Sequence, residues 1–261
     1  MSLQITAFEP MLRTMGLQPS LARYCPESNG STLKTVLLAE TPLVEGLSTT
    51  FDASCFVTLP AQGEIAWDKI KLVIPAGRPQ FKNVHLCLLG QPQGLTLSLA
   101  DDGTKVVIGT GTKVRGQIQC FAKPSVFIGD DCHLQGVRLL VGQADLVIGN
   151  GCVLNEEALL QAQDVYPLVD LSTGEVLNTG RRSLTLGRHV LVGRRATVLP
   201  NASVGDGCVI APGSTVDAVF GKHLWLNGTP AIITRQHISW APAFGKEAPN
   251  YEVSSVIPKL A

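Results

Sequence analysis

The sequence is poor in charge, in large rings and in histidine. Of its 261 residues only 16% are charged and 5% are aromatic, and Lys and Arg balance Asp and Glu at 21 each. A net charge of zero provides no basic surface for a phosphate backbone, so nucleic acid is not an expected partner. The seven cysteines form no Cys-x-x-Cys pair, which gives little support to a zinc or redox framework.

Long apolar runs are also missing, and no leader segment is expected from the first residues. No stretch approaches the roughly 18 apolar residues of a membrane span. Residues 1–16 include Glu9 and Arg13 and lack the apolar core of a signal peptide. Scattered single cysteines fit a reducing compartment. We therefore expect a cytoplasmic protein without a membrane span, and its 45% of hydrophobic residues suffice to bury a core.

What the sequence does contain is a short internal repeat. Ile108-Gly109, Ile128-Gly129 and Ile148-Gly149 lie 20 residues apart, and apolar residues follow each of them at six-residue steps. The apolar series reads Ile108, Val114, Cys120, then Ile128, Leu134, Leu140, then Ile148, Leu154, Leu160, and later Leu186, Val192, Val198, Val204, Ile210, Val216.

A small residue usually stands four positions after the aliphatic one. This row reads Thr112, Cys132, Cys152, Val190, Ala196, Ala202, Cys208, Ser214. An aliphatic residue pointing into a narrow prism and a small residue at a crowded bend suit short strands in stacked coils. The repeat therefore predicts an all-β parallel solenoid, and we interpret the cysteines of this row as core residues rather than nucleophiles.

The repeat is interrupted once. A coil is due at Leu168, 20 residues after Ile148, yet the next clean hexapeptide begins at Leu186, which predicts an insertion of 18 residues at about 165–185. Within it, Ser172-Thr-Gly174 reads as a turn between two short strands at 168–171 and 175–178. Loops that leave a regular scaffold often carry function.

Four segments in order resemble the sugar and capsule O-acetyltransferase branch of the hexapeptide-repeat acyltransferases. They are Asp164-Val-Tyr166-Pro through Glu175-Val-Leu-Asn178, Leu186-Gly-Arg-His189-Val-Leu-Val-Gly193, Ile210-Ala-Pro-Gly213-Ser-Thr-Val216, and Asn227-Gly228-Thr-Pro230-Ala231-Ile-Ile-Thr-Arg235. The resemblance implies a left-handed parallel β-helix that forms a homotrimer, with acetyl-coenzyme A bound between subunits. It also implies a coenzyme contact at Ala211, Gly213, Gly228, Pro230 and Arg235.

The resemblance breaks at the general base. The family carries His-Pro before its extended loop, and that His deprotonates the acceptor hydroxyl because imidazole titrates near neutral pH. This sequence has Tyr166-Pro167 there, and a phenol, with an ordinary pKa near 10, is a weak base at pH 7. The candidate catalytic residues are Tyr166 itself, Asp164 as a group that orients a base, and His189, which is expected to face outward just past the insertion.

Each candidate has a second interpretation. Tyr166 either takes part as an unusual acid–base group or fills the histidine position without catalysing. Asp164 and His189 are either catalytic residues or solvated surface residues.

Two further patterns around the insertion are open to interpretation. The first is a basic run that consists of Arg181, Arg182, Arg188, Arg194 and Arg195. These arginines form either a solvated face or a site that attracts coenzyme phosphates or an acidic saccharide. A zinc site built from three His, as in the hexapeptide carbonic anhydrases, is disfavoured because only His133 and His189 lie within the regular coils.

The flanks lack the six-residue phase. Apolar runs at 35–39, 54–59 and 69–74 predict strands, so residues 1–85 are interpreted as a β-rich cap, and Ala7–Met15 is compatible with a short helix. The segments 95–99 and 106–108 lie on either side of Asp101-Asp102-Gly103, and together they are predicted to form either a hairpin or a first coil. Residues 86–235 are assigned to the solenoid, and 236–261 to a tail that packs along the prism or a neighbour.

The sequence thus predicts an acetyl-coenzyme A-dependent O-acetyltransferase acting on a sugar or surface-polysaccharide hydroxyl. The alternative is a catalytically inactive hexapeptide protein that serves as a trimeric scaffold or binding module in polysaccharide biosynthesis. The absence of His-Pro is the observation behind that alternative. Acetyl-coenzyme A binding separates the two.

Overall fold

A computed structural model describes residues 33–241, whose strands stack into a left-handed parallel β-helix. The segment Ala7–Met15, Cys25 and the tail beyond residue 241 lie outside the described residues. Within residues 33–241 no helix is long and apolar enough to cross a membrane.

The regular structure of the described chain consists of strands, with three short 3₁₀ turns at Leu38–Glu40, Pro42–Val44 and Trp67–Lys69. The strands are β1 Leu33–Leu37, β2 Thr50–Phe51, β3 Phe56–Pro60, β4 Ile70–Val73, β5 Gln80–Phe81, β6 His85–Leu88, β7 Gln91–Leu99, β8 Lys105–Ile108, β9 Lys113–Cys120, β10 Ser125–Ile128, β11 His133–Val141, β12 Ala144–Ile148, β13 Val153–Leu154, β14 Leu159–Gln161, β15 Arg182–Leu186, β16 Leu191–Val192, β17 Thr197–Val198, β18 Ser203–Val204, β19 Val209–Ile210, β20 Thr215–Val216, β21 Val219–Phe220, β22 Leu224–Gly228 and β23 Ala231–Gln236.

The strands form three faces of a triangular prism. Face A is the nine-stranded sheet β1-β3-β6-β8-β10-β12-β15-β18-β21. The second long sheet bends across a corner, because β9 and β11 continue from one face onto the next. Face B holds their first halves with β13, β16, β19 and β22, and face C holds their second halves with β14, β17 and β20.

Aliphatic side chains of successive coils stack in columns inside the prism. On face A, Ile128 pairs in register with Ile108 below and Ile148 above, and Leu186 continues the column. Each of these side chains is at most 4% exposed. Full burial of such a side chain contributes about 1.5–3 kcal/mol, so the repeat supplies most of the apolar stabilisation.

One predicted core position is wrong. The six-residue step placed Leu140 inside the prism, but Leu139 is buried and pairs with Ile118 and Leu160 on face C, whereas Leu140 is only partly buried. The cause is a shorter step from face B to face C, which takes five residues in this coil, from Leu134 to Leu139, against six in the next, from Leu154 to Leu160.

The small residues of the repeat lie where expected, at the bends between faces. Every member of the predicted row, from Thr112 to Ser214, is at most 1% exposed. At the corner between faces A and B the column 111, 131, 151, 189, 207, 223 adopts positive φ throughout, from 53° to 72°. Glycine occupies three of these positions, and His189 and His223 adopt the same left-handed conformation, which is less favourable for side-chain-bearing residues.

The parallel pairing reaches further back than the predicted boundary at residue 86. β3 pairs with β6 and β4 pairs with β7, although the offset from Phe56 to its partner His85 is 29 residues, against 20 in the next coil. Longer connections between the faces destroy the repeat period there while preserving the geometry. β7 and β8 lie on different faces, so Asp101–Gly103 is a coil corner rather than a hairpin turn.

Both ends of the prism are covered. At the first end β1 pairs antiparallel with β3, and the adjoining 3₁₀ turns bury Leu38 and Leu43 against the core. At the other end β23 folds back antiparallel onto β22. Unpaired strand edges promote aggregation, so caps of this kind are expected on a solenoid.

Candidate functional site

The predicted insertion is an arm that leaves the prism at the corner between faces C and A. The arm, defined as residues 164–180, follows β14 and precedes β15. Its two limbs form a short hairpin around Gly174, which has φ 73°, and they meet in a single antiparallel bridge between Val169 and Val176. β12 and β15 pair in register on either side of it, so the prism continues undisturbed.

The base of the arm holds two of the predicted catalytic residues together through Asn178. Its Nδ2 donates to Asp164 Oδ2 at 3.1 Å and to the carbonyl oxygen of Tyr166 at 2.8 Å. Its Oδ1 accepts the backbone N–H of Leu168 at 2.8 Å. Arg182 lies 3.7 Å from Asp164 Oδ2, which adds an ion pair at the same point. The Asp164 carboxylate and the Tyr166 backbone are therefore fixed relative to each other.

The rest of the arm is apolar and exposed. Tyr166 is 78% exposed and Leu171 is 97% exposed. The other large apolar side chains left in solvent are Val165, Leu168, Val169, Val176 and Leu177. A group of exposed large apolar side chains on one short arm indicates a contact site.

The expected solvated position of His189 is wrong. Its side chain is only 4% exposed, because a segment of the tail crosses the A–B corner above it. This strap, residues 237–240, exchanges hydrogen bonds with His223 through Ile238 and places Trp240 over His189. His189 also lies one full face away from the arm, since β15, about 16 Å long, separates the two corners.

Four of the five residues expected to contact the coenzyme come together at the third corner, between faces B and C. Gly213 and Gly228 lie on successive turns there, and Thr229 Oγ1 donates to the Gly213 carbonyl at 3.4 Å. Pro230 follows at the same turn, and Ala211 is buried just inside it. Arg235 is placed apart, at the far end of β23, with its guanidinium over the Trp225 ring at 5.7 Å.

The predicted site residues thus occupy three different corners of one prism. Asp164 and Tyr166 lie at the C–A corner, His189 at the A–B corner, and the glycine turns at the B–C corner. A rigid prism cannot bring its own corners together. In a single chain these residues do not form one pocket.

The basic run is also dispersed by the prism geometry. Arg181 and Arg182 lie at the C–A corner, Arg188 at the A–B corner, and Arg194 and Arg195 at the B–C corner. Each has a carboxylate partner, in the pairs Arg181–Asp145, Arg182–Asp164, Arg188–Asp206, Arg194–Glu156 and Arg195–Glu157. A single basic patch is therefore not formed, because six residues of sequence carry the chain to the next corner.

The cysteines of the repeat serve as structural donors. The Sγ atoms of Cys132, Cys152 and Cys208 each lie 3.1 Å from a glycine carbonyl oxygen of the following coil. Burial raises the pKa of Cys152 and Cys208, and it raises the pKa of Cys120 to about 12. Neutral, inaccessible thiols are poor nucleophiles.

Below the arm, the C–A corner carries an open polar depression. It measures about 400 Å³ and is lined by Arg78, Asp101, Asp102, Ala122, Lys123 and Gln143. The lining offers charge-balanced donors and acceptors next to the base of the arm. Across the part of the chain that the structure describes, no three His, Cys, Asp or Glu side chains are grouped so as to hold a metal ion.

Sequence reasoning missed Asn178 and Trp240. The signal for Asn178 was an amide at the end of an apolar hairpin, where a buried polar group has to satisfy its own hydrogen bonds. The signal for Trp240 was a large ring in the tail of a chain with only three Trp.

Comparison with known proteins agrees with the repeat and the coil register. Residues 184–218 match the family model described as bacterial transferase hexapeptide (six repeats). By this match the chain is similar to the hexapeptide-repeat acyltransferases. Among them it is similar to the polysaccharide O-acetyltransferases.

The chain shows sequence similarity to a curated relative. A polysialic acid O-acetyltransferase of Escherichia coli O1:K1 / APEC is 28% identical over 137 residues, which cover 52% of this chain and 44% of that protein. The chain therefore matches less than half the length of this relative.

Two solved structures share the architecture to different degrees. The polySia-specific acetyltransferase NeuO superposes with a TM-score of 0.58 and 20% identity, covering 74% of this chain and 100% of NeuO. The polysialic acid O-acetyltransferase OatWY gives a TM-score of 0.49 and 17% identity, covering 74% of this chain and 96% of OatWY. At this identity the likeness to NeuO concerns the fold.

Proposed function

We propose that the protein transfers acetyl from acetyl-coenzyme A to a hydroxyl of a sugar or polysaccharide. The observation that carries the proposal is the 28% identity over 137 residues with a polysialic acid O-acetyltransferase. The polar depression beside the arm supports it, since its charged side chains and Gln143 offer several donors and acceptors to sugar hydroxyls.

The proposal includes a homotrimer with the site between subunits. Asp164 and Tyr166 lie on one corner of the prism and the glycine turns on another, so they can meet only if corners of different copies face each other. The exposed apolar side chains of the arm support such a contact, because they have no cover within residues 33–241.

The B–C corner fits an extended coenzyme. A Cβ on Gly213 would meet no atom within 4 Å, so a ligand can approach that backbone closely. Ala211, Gly228 and Pro230 shape the same turn, and the exposed guanidinium of Arg235 would meet phosphate charge. Acetyl-coenzyme A would supply the acetyl group as a thioester.

Tyr166 can act without being a strong base. The acceptor oxygen would form its bond to the acetyl carbonyl carbon while the carbon–sulfur bond breaks. A phenol both accepts and donates a hydrogen bond, so Tyr166 would pass the hydroxyl proton to the departing sulfur. Asp164 would orient the acceptor hydroxyl at the same place.

Calorimetry and acetyl transfer together test the proposal. We expect acetyl-coenzyme A to bind, and we expect Tyr166→Phe to lower kcat by about 100-fold or more with little change in coenzyme affinity. Tyr166→His should retain transfer. No coenzyme binding at millimolar concentration would overturn the transferase proposal.

The inactive scaffold is the second candidate. The burial of His189 supports it, because no imidazole is then exposed at the arm to replace the missing His-Pro base. Coenzyme binding without transfer to any saccharide, together with gain of transfer in Tyr166→His, would select this function.

A further inference from the structure

The side chain of Asn178 is buried, whereas the other residues of the arm are exposed or only partly buried. It is 8% exposed, while Tyr166 and Leu177 on either limb are 78% and 62% exposed. A buried amide with all partners present costs little, whereas one that loses a partner destabilises its surroundings.

The three hydrogen bonds of Asn178 join the outgoing limb of the arm to the returning limb. Its amide nitrogen contacts Asp164 Oδ2 and the Tyr166 carbonyl, and its amide oxygen contacts the Leu168 N–H. The reverse orientation of the amide would direct an oxygen at two acceptors. The partners therefore determine the orientation, and only a side chain with both a donor and an acceptor fulfils it.

The charges around Asn178 make this position selective. Asp164 lies 3.1 Å from Nδ2, and Arg182 approaches the same carboxylate oxygen at 3.7 Å. Tyr166 contributes its carbonyl oxygen at 2.8 Å. Among the described residues, Asp164, Arg182 and Tyr166 are the charged and titratable ones that face the amide. An acidic residue at 178 would place a second carboxylate against Asp164.

We propose that Asn178 is a positioning residue of the transfer reaction, which fixes the Asp164 carboxylate and the Tyr166 backbone toward the acceptor hydroxyl. This inference rests on the proposed function. Asn178 acts through Asp164 and Tyr166 and does not itself contact the reacting atoms. A small displacement of reacting groups lowers rates by roughly 100-fold, so the clamp is expected to affect kcat more than the KM for the coenzyme.

Asn178→Asp is the diagnostic variant, because it keeps the size of the side chain and removes the donor. At pH 8 we expect kcat to fall about 100-fold, with the KM for acetyl-coenzyme A changed less than about threefold. Two carboxylates in contact share a proton at mildly acid pH. The protonated pair restores one hydrogen bond, so the ratio of variant to wild-type kcat should rise about tenfold between pH 8 and pH 5.5.

Asn201→Asp is the matched control. Asn201 lies at the same C–A corner one coil further on, is exposed, and its Oδ1 accepts the Ser183 N–H at 3.4 Å, which a carboxylate also does. Its kcat should stay within about twofold of wild type at both pH values. A second variant, Asn178→Ala, should lower kcat without any recovery at acid pH.

Hydrogen exchange of peptides from the arm gives a readout that needs no activity. At one pH, exchange over residues 164–178 should be faster in Asn178→Asp than in wild type, while the coils keep their protection. Unchanged arm exchange, unchanged kcat, or a loss of kcat without acid recovery would overturn the inference. Wild-type protein without any transfer would overturn the proposed function instead, and the exchange rates alone would then decide whether Asn178 clamps the arm.

Discussion

The indole of Trp240 lies flat on the imidazole of His189, with ring centroids 4.1 Å apart and planes 5° from parallel. The contact is reciprocal. His189 Nε2 donates to the Trp240 carbonyl at 2.9 Å, and Trp240 Nε1 donates to the His189 carbonyl at 2.8 Å. A histidine in left-handed conformation, φ 55°, is thus covered and hydrogen-bonded by the strap.

Removal of the Trp240 ring should expose His189. For Trp240→Ala we expect the rate of His189 modification by diethylpyrocarbonate to rise at least about tenfold, because the stacked ring and one hydrogen bond are lost, with a loss of about 2–4 kcal/mol of stability. Peptide mass spectrometry measures the rate. Trp225→Ala is the control, since Trp225 is 40% exposed and contacts Arg235 rather than His189. Equally fast modification in wild type would contradict the contact.

The buried thiols should make the protein less stable at alkaline pH. The pKa of Cys120 is raised to about 12 by burial, whereas an unfolded thiol ionises near 8.5. Between these values the unfolded chain holds fewer protons than the folded one. The free energy of unfolding therefore falls by about 1.4 kcal/mol per pH unit for each such thiol, and this stability is lost as pH rises toward the folded pKa.

Cys120→Val tests the alkaline effect by urea unfolding from pH 8 to 11 under reducing conditions. Valine suits the position because Val141 is its register partner on the next coil. The variant should lose stability with pH less steeply than wild type. Val141→Ala, in the same column but without a thiol, should lower stability while leaving the slope unchanged. Parallel slopes for Cys120→Val and wild type would show that Cys120 is not protected.

Asp206 should stabilise the A–B corner except in acid. It is 9% exposed, accepts the Arg188 N–H at 2.8 Å, and pairs with Arg188 at 3.1 Å and Lys222 at 3.0 Å. Burial alone would raise the pKa of Asp206, but the hydrogen bonds from Arg188 and Lys222 lower it on balance. The contribution is present above the unfolded pKa, near 4, and is lost as pH falls through the lower folded value.

Asp206→Asn should therefore cost about 1–3 kcal/mol at pH 7 and progressively less below pH 4. Urea unfolding at pH 7, 5 and 3 measures the difference. Asp217→Asn, at an exposed position, should stay within about 0.5 kcal/mol of wild type throughout. A pH-independent cost for Asp206→Asn would mean that the carboxylate charge contributes nothing.

The arm should mediate assembly of the proposed trimer. Leu171→Asp and Leu177→Asp place a carboxylate on side chains that are 97% and 62% exposed, so the fold of one chain should be unaffected. Burying the new charge between copies would cost several kcal/mol. Sedimentation should show dissociation at micromolar protein. Ile232→Asp, 63% exposed on β23, serves as the control, and unchanged mass for both arm variants would contradict the role of the arm.

The prism was predictable because its pattern is local and periodic. Ile108, Ile128 and Ile148 recur at equal steps, and equal steps place them in one buried column. The prediction of Leu140 failed because the step from Leu134 on face B to Leu139 on face C is five residues rather than six, and no periodic signal marks that change. The arm was located by subtraction, as residues that the repeat could not use.

The candidate site was less predictable because its contacts are long-range. Asn178 reaches back 14 residues to Asp164, and Trp240 reaches 51 residues to His189. Neither contact is encoded by spacing. The five arginines, close in sequence, were separated because the chain turns a corner every six residues.

The register across the arm implies modularity. Arg182 N–H donates to the Gln143 carbonyl as if residues 164–180 were absent, and at the same corner of the next coil four residues, 199–202, suffice to turn the chain. The arm is therefore an appendage of the prism, and its length and sequence can change without altering any core column. The surface that the arm presents and the thermal stability of the prism become separately adjustable traits, and arms could be exchanged between related prisms.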